Sequence, residues 1–163
     1  MNTNLLLLAE EILHEARTLS TKISCAESCT GGLVAAALTE IPGSSDVFNG
    51  SAVVYANSAK ENILGVSHAI LENFGAVSRE CALAMCEGSL RIYDTDFAVS
   101  ITGIAGPDGG SDLKPVGTVW FGFASRGKFA SYAVKKLFSG NRREIRESSV
   151  EFALSELLRA IKS

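Results

Sequence analysis

The sequence predicts an α/β protein, a three-layer α/β/α sandwich with a mixed sheet of about five strands. Apolar, strand-like runs alternate with helix-like segments along most of the chain, which is typical of strands joined by helices. Two later segments of alternating polarity indicate a hairpin, which adds antiparallel strands to the sheet. At 163 residues, with no internal repeat or long linker, the chain is expected to form a single domain over residues 1–163.

The first part of the chain alternates helices with two strands. Apolar residues at helical spacing predict a first helix over Asn4–Thr18. The strand Lys22–Glu27 runs through a turn into the helix-forming segment Leu33–Leu38, for which Ser28 or Thr30 is available as N-cap. The next predicted elements are the strand Val47–Tyr55 and the helices Asn57–Leu64, Ser67–Phe74 and Ser78–Tyr93.

The later part of the chain supplies the rest of the sheet and a last helix. Phe97–Thr102 is apolar enough to predict a strand that is buried on both faces, and it ends in a Gly-rich loop. Gly117–Ser125 and Lys128–Phe138 alternate with period two around Arg126-Gly127, which predicts a hairpin with a short turn. Apolar residues at helical spacing predict the last helix over Arg142–Lys162.

Composition excludes several classes of protein. The longest apolar runs are far shorter than the ~20 residues of a membrane span, and Glu10 and Glu11 soon after the first Leu run argue against a secretory signal. A cytoplasmic protein without membrane association is therefore expected. A net charge of −3, a pI near 5.4 and 7% aromatic residues give little support to direct nucleic-acid binding.

The cysteines and histidines do not predict a metal or redox site. The cysteine spacings match neither a C-x-x-C redox motif nor a zinc pattern, so reduced and partly buried thiols are expected. The histidines lie near none of the cysteines in sequence. We expect neither a metal nor a cofactor. The residues concerned are Cys25, Cys29, Cys81, Cys86, His14 and His68.

Three segments compete for the functional site, because ligands in open α/β sheets bind beyond the carboxyl ends of strands. Glu27–Gly32 places hydroxyls and Gly amides at a helix start, Tyr55–Lys60 places a phenol and an amine across a strand-to-helix junction, and Gly103–Ser111 is a Gly-rich loop. Each has a purely structural alternative: N-capping for the hydroxyls, solvent exposure for the amine and the phenol, and a turn-dense connection for the loop. Spacing alone leaves these alternatives open.

Six segments, taken together and in order, resemble the CinA C-terminal domain family. That family includes the nicotinamide-nucleotide amidohydrolases. Its longer members carry an additional N-terminal domain that resembles molybdopterin-binding proteins, so the sequence is expected to be a stand-alone form. The matching segments are Ala26–Gly32, Gly43–Ser45, Tyr55 with Lys60, Gly75–Ser78, Gly103–Ser111 and Lys114–Trp120.

The resemblance implies hydrolysis of the carboxamide of nicotinamide mononucleotide, giving nicotinic acid mononucleotide and ammonia in pyridine-nucleotide salvage. It also implies a serine nucleophile, Ser28, with Tyr55 and Lys60 as its partners. The chemistry agrees with this, because a serine hydroxyl is a weak nucleophile and needs a base. Both histidines lie outside the matching segments, which leaves Lys60 or Tyr55 as that base. A lysine base must be neutral, so Lys60 is expected to be buried beside Ser28.

Further residues are expected to bind the substrate. Backbone amides at the helix start are candidate oxyanion donors, and Arg142, with Arg143 and Arg146 nearby, is the candidate for the substrate phosphate. Glycines and an acid of the Gly-rich loop, and one serine, are expected to shape the pocket. The amides are those of Thr30, Gly31 and Gly32, and the pocket residues are Ser45, Gly103, Gly106, Asp108 and Gly110.

Several alternatives remain at this point. Cys29, beside the expected nucleophile, is a second candidate nucleophile. The chain could instead be a non-catalytic nucleotide-binding or regulatory module linked to competence or the DNA damage response, since one fold hosts unrelated functions. An amidase for a different carboxamide is a third hypothesis. The resemblance also implies association into a homodimer.

Overall fold

A computed structural model describes residues 2–163, which form one mixed five-stranded sheet. The strands are β1 (Ile23–Glu27), β2 (Phe48–Val53), β3 (Phe97–Gly103), β4 (Thr118–Ser125) and β5 (Tyr132–Leu137). Their order across the sheet is β2-β1-β3-β4-β5. β1 pairs in parallel with β2 and β3, whereas β4 is antiparallel to both β3 and β5. The predicted mixed sheet is confirmed.

Helices cover both faces of the sheet. They are α1 (Thr3–Thr18), α2 (Leu33–Thr39), α3 (Asn57–Leu64), α4 (His68–Phe74), α5 (Arg79–Ile92) and α6 (Arg142–Lys162). α1, α2 and α6 pack against one another and share an apolar cluster with one face, while α3, α4 and α5 form a second cluster on the other. The predicted α/β/α sandwich is therefore confirmed. No helix within residues 2–163 is long and apolar enough to cross a membrane.

The parallel half of the sheet determines where the site lies. All five residues of β1 are buried, because β1 lies between two parallel strands and beneath helices on both faces. Its last residue, Glu27, pairs with Val53 of β2 and Ile101 of β3. The chain therefore leaves three neighbouring strands at one edge of the sheet, and Ser28 lies at that edge.

The predicted two-residue hairpin turn is wrong. β5 begins at Tyr132, opposite Phe123, so residues 126–131 form a longer connection. The end of β4 pairs with β3 and not with β5. Ser125 pairs with Phe97, and the Arg126 amide donates to the Asp96 carbonyl. The sequence of residues 128–131 resembles a strand because Phe129 packs against the core. This segment nevertheless does not pair with β4.

Candidate active site

A small cavity of about 200 Å³ lies at the carboxyl edge of the parallel strands. It is lined by the turn after β1, by the start of α3, by the end of β3 and by the N-terminus of α6. The lining includes Ser28, Tyr55, Asn57, Lys60, Gly103 and Arg142. The cavity therefore brings together residues that are distant in the sequence; Ser28 and Arg142 are 114 positions apart.

The Lys60 side chain is buried against Ser28. Lys60 lies in the first turn of α3 and is 1% exposed. Its Nζ lies 3.1 Å from Ser28 Oγ, 2.8 Å from the Val54 carbonyl oxygen and 3.1 Å from the Tyr55 carbonyl oxygen. This is the position that a lysine base requires.

Burial favours the uncharged form of the Lys60 amine. Burial lowers the pKa of Lys60 from its usual value, because removal from water penalises the ammonium form. A neutral amine has two N–H donors and one lone pair. In this form the two N–H groups serve the two carbonyl oxygens, and the lone pair accepts from the Ser28 hydroxyl; the ammonium form donates to all three oxygens. In both forms Lys60 Nζ and Ser28 Oγ are in direct hydrogen-bond contact.

Tyr55 contacts the amine through its backbone and not through its phenol. The side chain is at the rim of the cavity and the residue is 61% exposed. Its phenol oxygen accepts a hydrogen bond from Arg142 Nη2 at 3.0 Å. The Tyr55 carbonyl, by contrast, accepts from Lys60. In this arrangement the Tyr55 phenol therefore does not orient the amine.

A buried carboxylate organises the turn that carries Ser28. Glu27 is 0% exposed, and its two oxygens accept hydrogen bonds from the start of α2 and from β2. Neither Ser28 nor Thr30 caps α2, so both predicted N-caps are wrong and the Ser28 hydroxyl remains free for chemistry. The donors to Glu27 are Thr30 Oγ1, Ser51 Oγ and the amides of Gly32, Val34 and Ala35.

Two of the three expected oxyanion donors are occupied. The Gly31 amide donates to the Ser28 carbonyl oxygen at 3.1 Å, and the Gly32 amide donates to Glu27 at 3.0 Å. Among residues 2–163, the amides of Cys29 and Thr30 have no acceptor. The prediction is therefore wrong for Gly31 and Gly32. Their function is conformational, since both have positive φ angles, +60° and +96°, that favour glycine.

The Gly-rich loop after β3 contributes only its first residues to the cavity. Gly103 lines it, and the carbonyl oxygen of Gly106 accepts from Arg142 Nη1 at 2.7 Å. Asp108 and Gly110 instead line a shallow cavity on the outer side of the loop. A Cβ at Gly110 would lie 2.8 Å from the Val116 amide nitrogen, so close loop packing requires glycine there. The prediction that Asp108 and Gly110 shape the pocket is not met.

Ser45 lies at the opposite edge of the sheet. It belongs to the short turn Ser44–Asp46, which leads into β2. The first residue of β2, Phe48, pairs with Ile23, the first residue of β1. The length of β1, at ~3.3 Å per residue, therefore separates Ser45 from the turn at Ser28. Its expected role in substrate binding is wrong.

Arg142 crosses the mouth of the cavity from the first position of α6. Asn141 and Glu144 form a capping box that starts this helix. The Arg142 guanidinium uses one N–H on Tyr55 and one on Gly106, which leaves three of its five donors free. Arg143, its neighbour, is exposed and pairs with Glu147 at 2.7 Å. Arg142 is therefore the cation at the entrance.

Two contributors to the site were not assigned from the sequence. One is Glu27, described above; the signal for it is an acid at the end of a fully buried, mostly apolar strand. The other is Arg146, whose Nε and Nη2 donate to the carbonyl oxygens of Cys29 and Thr30, each at 3.0 Å. Arg146 follows Arg142 by four positions and so lies on the same side of α6, which is the signal available in the sequence.

Burial makes Cys29 a poor nucleophile. Its exposure is 5%, and burial raises the pKa of its thiol to about 11. Since the thiolate is the reactive form, this thiol stays protonated near neutral pH. Within residues 2–163, no group of three or more His, Cys, Asp or Glu side chains is placed to hold a metal ion.

Comparison with known proteins identifies similar sequences over nearly the whole chain. It is 51% identical over 137 residues to the nicotinamide-nucleotide amidohydrolase PncC of Enterobacter agglomerans, covering 84% of this chain and 83% of that protein. It is 43% identical over 157 residues to PncC of Shigella flexneri, covering 96% and 94%. A CinA-like protein of Endomicrobium trichonymphae is 51% identical over 139 residues. That alignment covers 85% of this chain but 32% of the relative, so the chain spans about a third of that protein.

The fold and a family model agree with these relatives. The crystal structure of the competence/damage inducible protein CihA from Agrobacterium tumefaciens superimposes with a TM-score of 0.95 at 43% identity, covering 100% of this chain and 98% of that one. Residues 6–161 match the model of the CinA C-terminal domain. Because the sequence match and the fold match both extend over almost all of the chain, it belongs to the CinA C-terminal domain family.

Proposed function

We propose that this protein is an amidohydrolase that converts nicotinamide mononucleotide into nicotinic acid mononucleotide and ammonia, in pyridine-nucleotide salvage. The observation that carries the proposal is the Lys60 amine, buried 3.1 Å from Ser28 Oγ with a lowered pKa. The names of the Enterobacter and Shigella relatives support the choice of substrate.

Attack on the amide begins with proton transfer. The neutral Lys60 amine takes the proton of the Ser28 hydroxyl while Oγ forms a bond to the carboxamide carbon. The carbonyl oxygen becomes an oxyanion, for which the free amide of Cys29, a residue of the cavity wall, is the candidate donor. The carbonyl oxygens of Val54 and Tyr55 hold the resulting ammonium form of Lys60 in place.

Collapse of the tetrahedral intermediate releases ammonia. The C–N bond breaks, and Lys60 gives its proton to the departing nitrogen. An ester then joins Ser28 Oγ to the former carboxamide carbon. Water then attacks that carbon, Lys60 accepts one water proton, and the ester bond to Oγ breaks. Ser28 regains its proton, and the product leaves as a carboxylic acid. One base thus serves both halves of the reaction.

Arg142 is the proposed phosphate ligand. A protein with a net charge of −3 needs a local cation to bind an anionic nucleotide, and Arg142 stands at the cavity mouth with three free donors. The Tyr55 phenol and the Gly106 carbonyl hold the guanidinium at that position. The cavity of about 200 Å³ encloses the reacting carboxamide and pyridine end of the substrate, with the phosphate outside at the arginine.

The deciding experiment measures ammonia release from nicotinamide mononucleotide and, separately, from nicotinamide. The wild-type protein should release ammonia from the nucleotide, and Ser28→Ala should lower kcat by about 10³-fold or more, because the nucleophile is lost. Cys29→Ala should remain active, since its thiol is protonated. Loss of activity in Cys29→Ala with activity kept in Ser28→Ala would reverse the choice of nucleophile.

The same assay separates the alternative functions. Binding of nicotinamide mononucleotide without ammonia release would favour the non-catalytic nucleotide-binding or regulatory module. Release from nicotinamide or another carboxamide, but not from the nucleotide, would favour an amidase of different specificity. We also propose a cytoplasmic location, no direct nucleic-acid binding and a homodimer; light scattering of the purified protein tests the last of these.

A further inference from the structure

Given the proposed function, we propose that Arg146 is a positioning residue of the reaction. It holds the turn that follows Ser28 in one conformation, which keeps the Cys29 amide at the cavity wall for the oxyanion and the Thr30 amide out of hydrogen bonds within the turn. The Arg146 guanidinium donates to the carbonyl oxygens of Cys29 and Thr30, at 3.0 Å each. Arg146 and Cys29 are 117 positions apart in the sequence. The side chain thus fixes two successive peptide units of the turn.

The planarity of the peptide bond explains how a guanidinium can orient an amide. In a trans peptide, the C=O of one residue and the N–H of the next lie in one plane and point in opposite directions. Arg146 holds the Cys29 carbonyl, so the Thr30 amide points away from α6. Its second bond, to the Thr30 carbonyl, fixes the next unit, whose N–H belongs to Gly31 and donates to Ser28.

Without this contact, the turn would have greater conformational freedom. Gly31 and Gly32 follow directly and have positive φ, and glycine has access to many backbone conformations. Glu27 restrains the Gly32 end of the turn, but its hydrogen bonds reach neither carbonyl that Arg146 holds. The guanidinium also packs closely, since a Cβ at Gly31 would lie 3.3 Å from Arg146 Nη2. Carboxylate and guanidinium therefore restrain the turn from two sides.

Arg146 acts through the turn and not on the substrate. It does not line the cavity that contains Ser28. It lines instead a separate cavity of about 610 Å³ between α1, α2 and α6, together with Leu5, Leu33 and Arg143. Its removal should therefore weaken stabilisation of the transition state and leave binding of the ground state unchanged.

The test compares Arg146→Ala and Arg146→Lys with Arg143→Ala. Arg143→Ala is the matched control, because it removes the same charge from the same helix turn, while its guanidinium contacts only exposed Glu147. Arg146→Ala should lower kcat by about 10²-fold, the scale of a lost oxyanion donor, with KM within about threefold of wild type. Arg146→Lys should be intermediate, because one ammonium lacks the planar fork that spans two carbonyls.

A second measurement excludes a trivial loss of folded protein. Calorimetric titration with the product, nicotinic acid mononucleotide, should give Arg146→Ala the stoichiometry and Kd of wild type. A kcat of Arg146→Ala within about threefold of wild type, or a raised KM at unchanged kcat, would overturn the inference. Failure of the proposed function looks different: wild type and Arg143→Ala would then release no ammonia, or Ser28→Ala would remain active.

Discussion

Lys60 is a buried lysine whose amine has only uncharged hydrogen-bond partners. Its amine lies among two carbonyl oxygens and one hydroxyl, without a carboxylate partner. Burial therefore lowers its pKa and leaves a larger neutral fraction near neutral pH than an exposed lysine has. The same burial makes the ammonium form unfavourable in the folded state, so under the proposed mechanism it affects both the activity and the pH dependence of stability.

The first prediction concerns the pH dependence of Lys60. Because the base must be neutral, kcat/KM should rise with pH and level off above the lowered pKa of Lys60. Lys60→Met should reduce kcat by about 10²–10⁴-fold at every pH. Steady-state kinetics of ammonia release across pH would check this; a rate that falls through the same range would contradict the assignment of Lys60 as base.

Lys60→Met should also change how the stability of the protein depends on pH. The folded pKa of Lys60 lies below that of the unfolded chain, near 10.5, so between the two values the folded chain holds fewer protons and stability rises with pH. In thermal unfolding, the Tm of Lys60→Met relative to wild type should fall as the pH rises from 7 towards 10.5, because the wild-type protein gains stability over that range. A relative Tm that rises with pH would show the opposite sign of shift.

Arg142 carries a separate prediction. Arg142→Ala should raise KM for nicotinamide mononucleotide about tenfold or more, because a charge-assisted phosphate contact is lost, with a smaller effect on kcat. Arg143→Ala is again the control, since that side chain pairs with Glu147 and does not line the cavity. Equal KM values for wild type and Arg142→Ala would place the phosphate elsewhere.

At the scale of elements, the β1–turn–α2 unit is held together by the Glu27 carboxylate. The last residue of the strand caps the helix that follows it, accepting amide hydrogen bonds from Gly32, Val34 and Ala35. A carboxylate at a helix N-terminus also interacts favourably with the helix dipole. The hydroxyls of the turn are therefore not needed as caps, which is why Ser28 can contact Lys60.

Glu27→Gln tests this capping arrangement. Both Glu27 oxygens accept hydrogen bonds, so an amide NH₂ in place of either would face donors and leave buried groups unpaired. We expect a loss of about 1–3 kcal/mol in the free energy of unfolding by urea, together with a lower kcat. Glu40→Gln, at the exposed end of the same helix, is the control and should be near neutral. Equal stabilities for the two variants would contradict the role of Glu27.

At the scale of the whole molecule, the antiparallel half of the sheet supports the parallel half that forms the site. α5 packs closely across β3 and β4, and Gly122 of β4 is the point of contact with the helix backbone. A Cβ there would lie 2.6 Å from Ser100 Oγ and would also meet the Ala82 carbonyl oxygen. Ser100 donates to that same carbonyl, so the distance between sheet and helix depends on this one position.

Gly122→Ala should therefore destabilise the protein by about 1–3 kcal/mol, because the added methyl group overpacks the layer between β4 and α5. Gly127→Ala is the comparison: nothing lies within 4 Å of its Cβ position, and only its φ of +81° opposes the change. Urea unfolding of both variants should show the larger loss at Gly122. A smaller loss of stability at Gly122 than at Gly127 would contradict this, because it would mean that α5 can move away from β4 at little cost.

The sequence predicted the layers and most element boundaries, because apolar periodicity directly records which faces are buried. Where it was wrong, tertiary pairing overrode a local pattern. The segment that includes Phe129 alternates in polarity like a strand. The Phe129 amide nevertheless donates to Ser125 Oγ, and the segment does not pair with β4. Ser45, in a segment that matches the family, lies at the edge of the sheet away from Ser28. Sequence position alone cannot assign a residue to one edge or the other.

The sequence by itself determined the α/β class, the absence of a histidine from the matching segments, and Ser28, Tyr55 and Lys60 as candidates. Only the tertiary structure decided how these residues act together. In the folded chain the Lys60 amine contacts Ser28 Oγ, and the Tyr55 phenol accepts a hydrogen bond from Arg142. Glu27 caps α2 in place of the turn hydroxyls. The physical reason is that pKa and hydrogen-bond partners depend on desolvation and on contacts between distant segments, which no local pattern records.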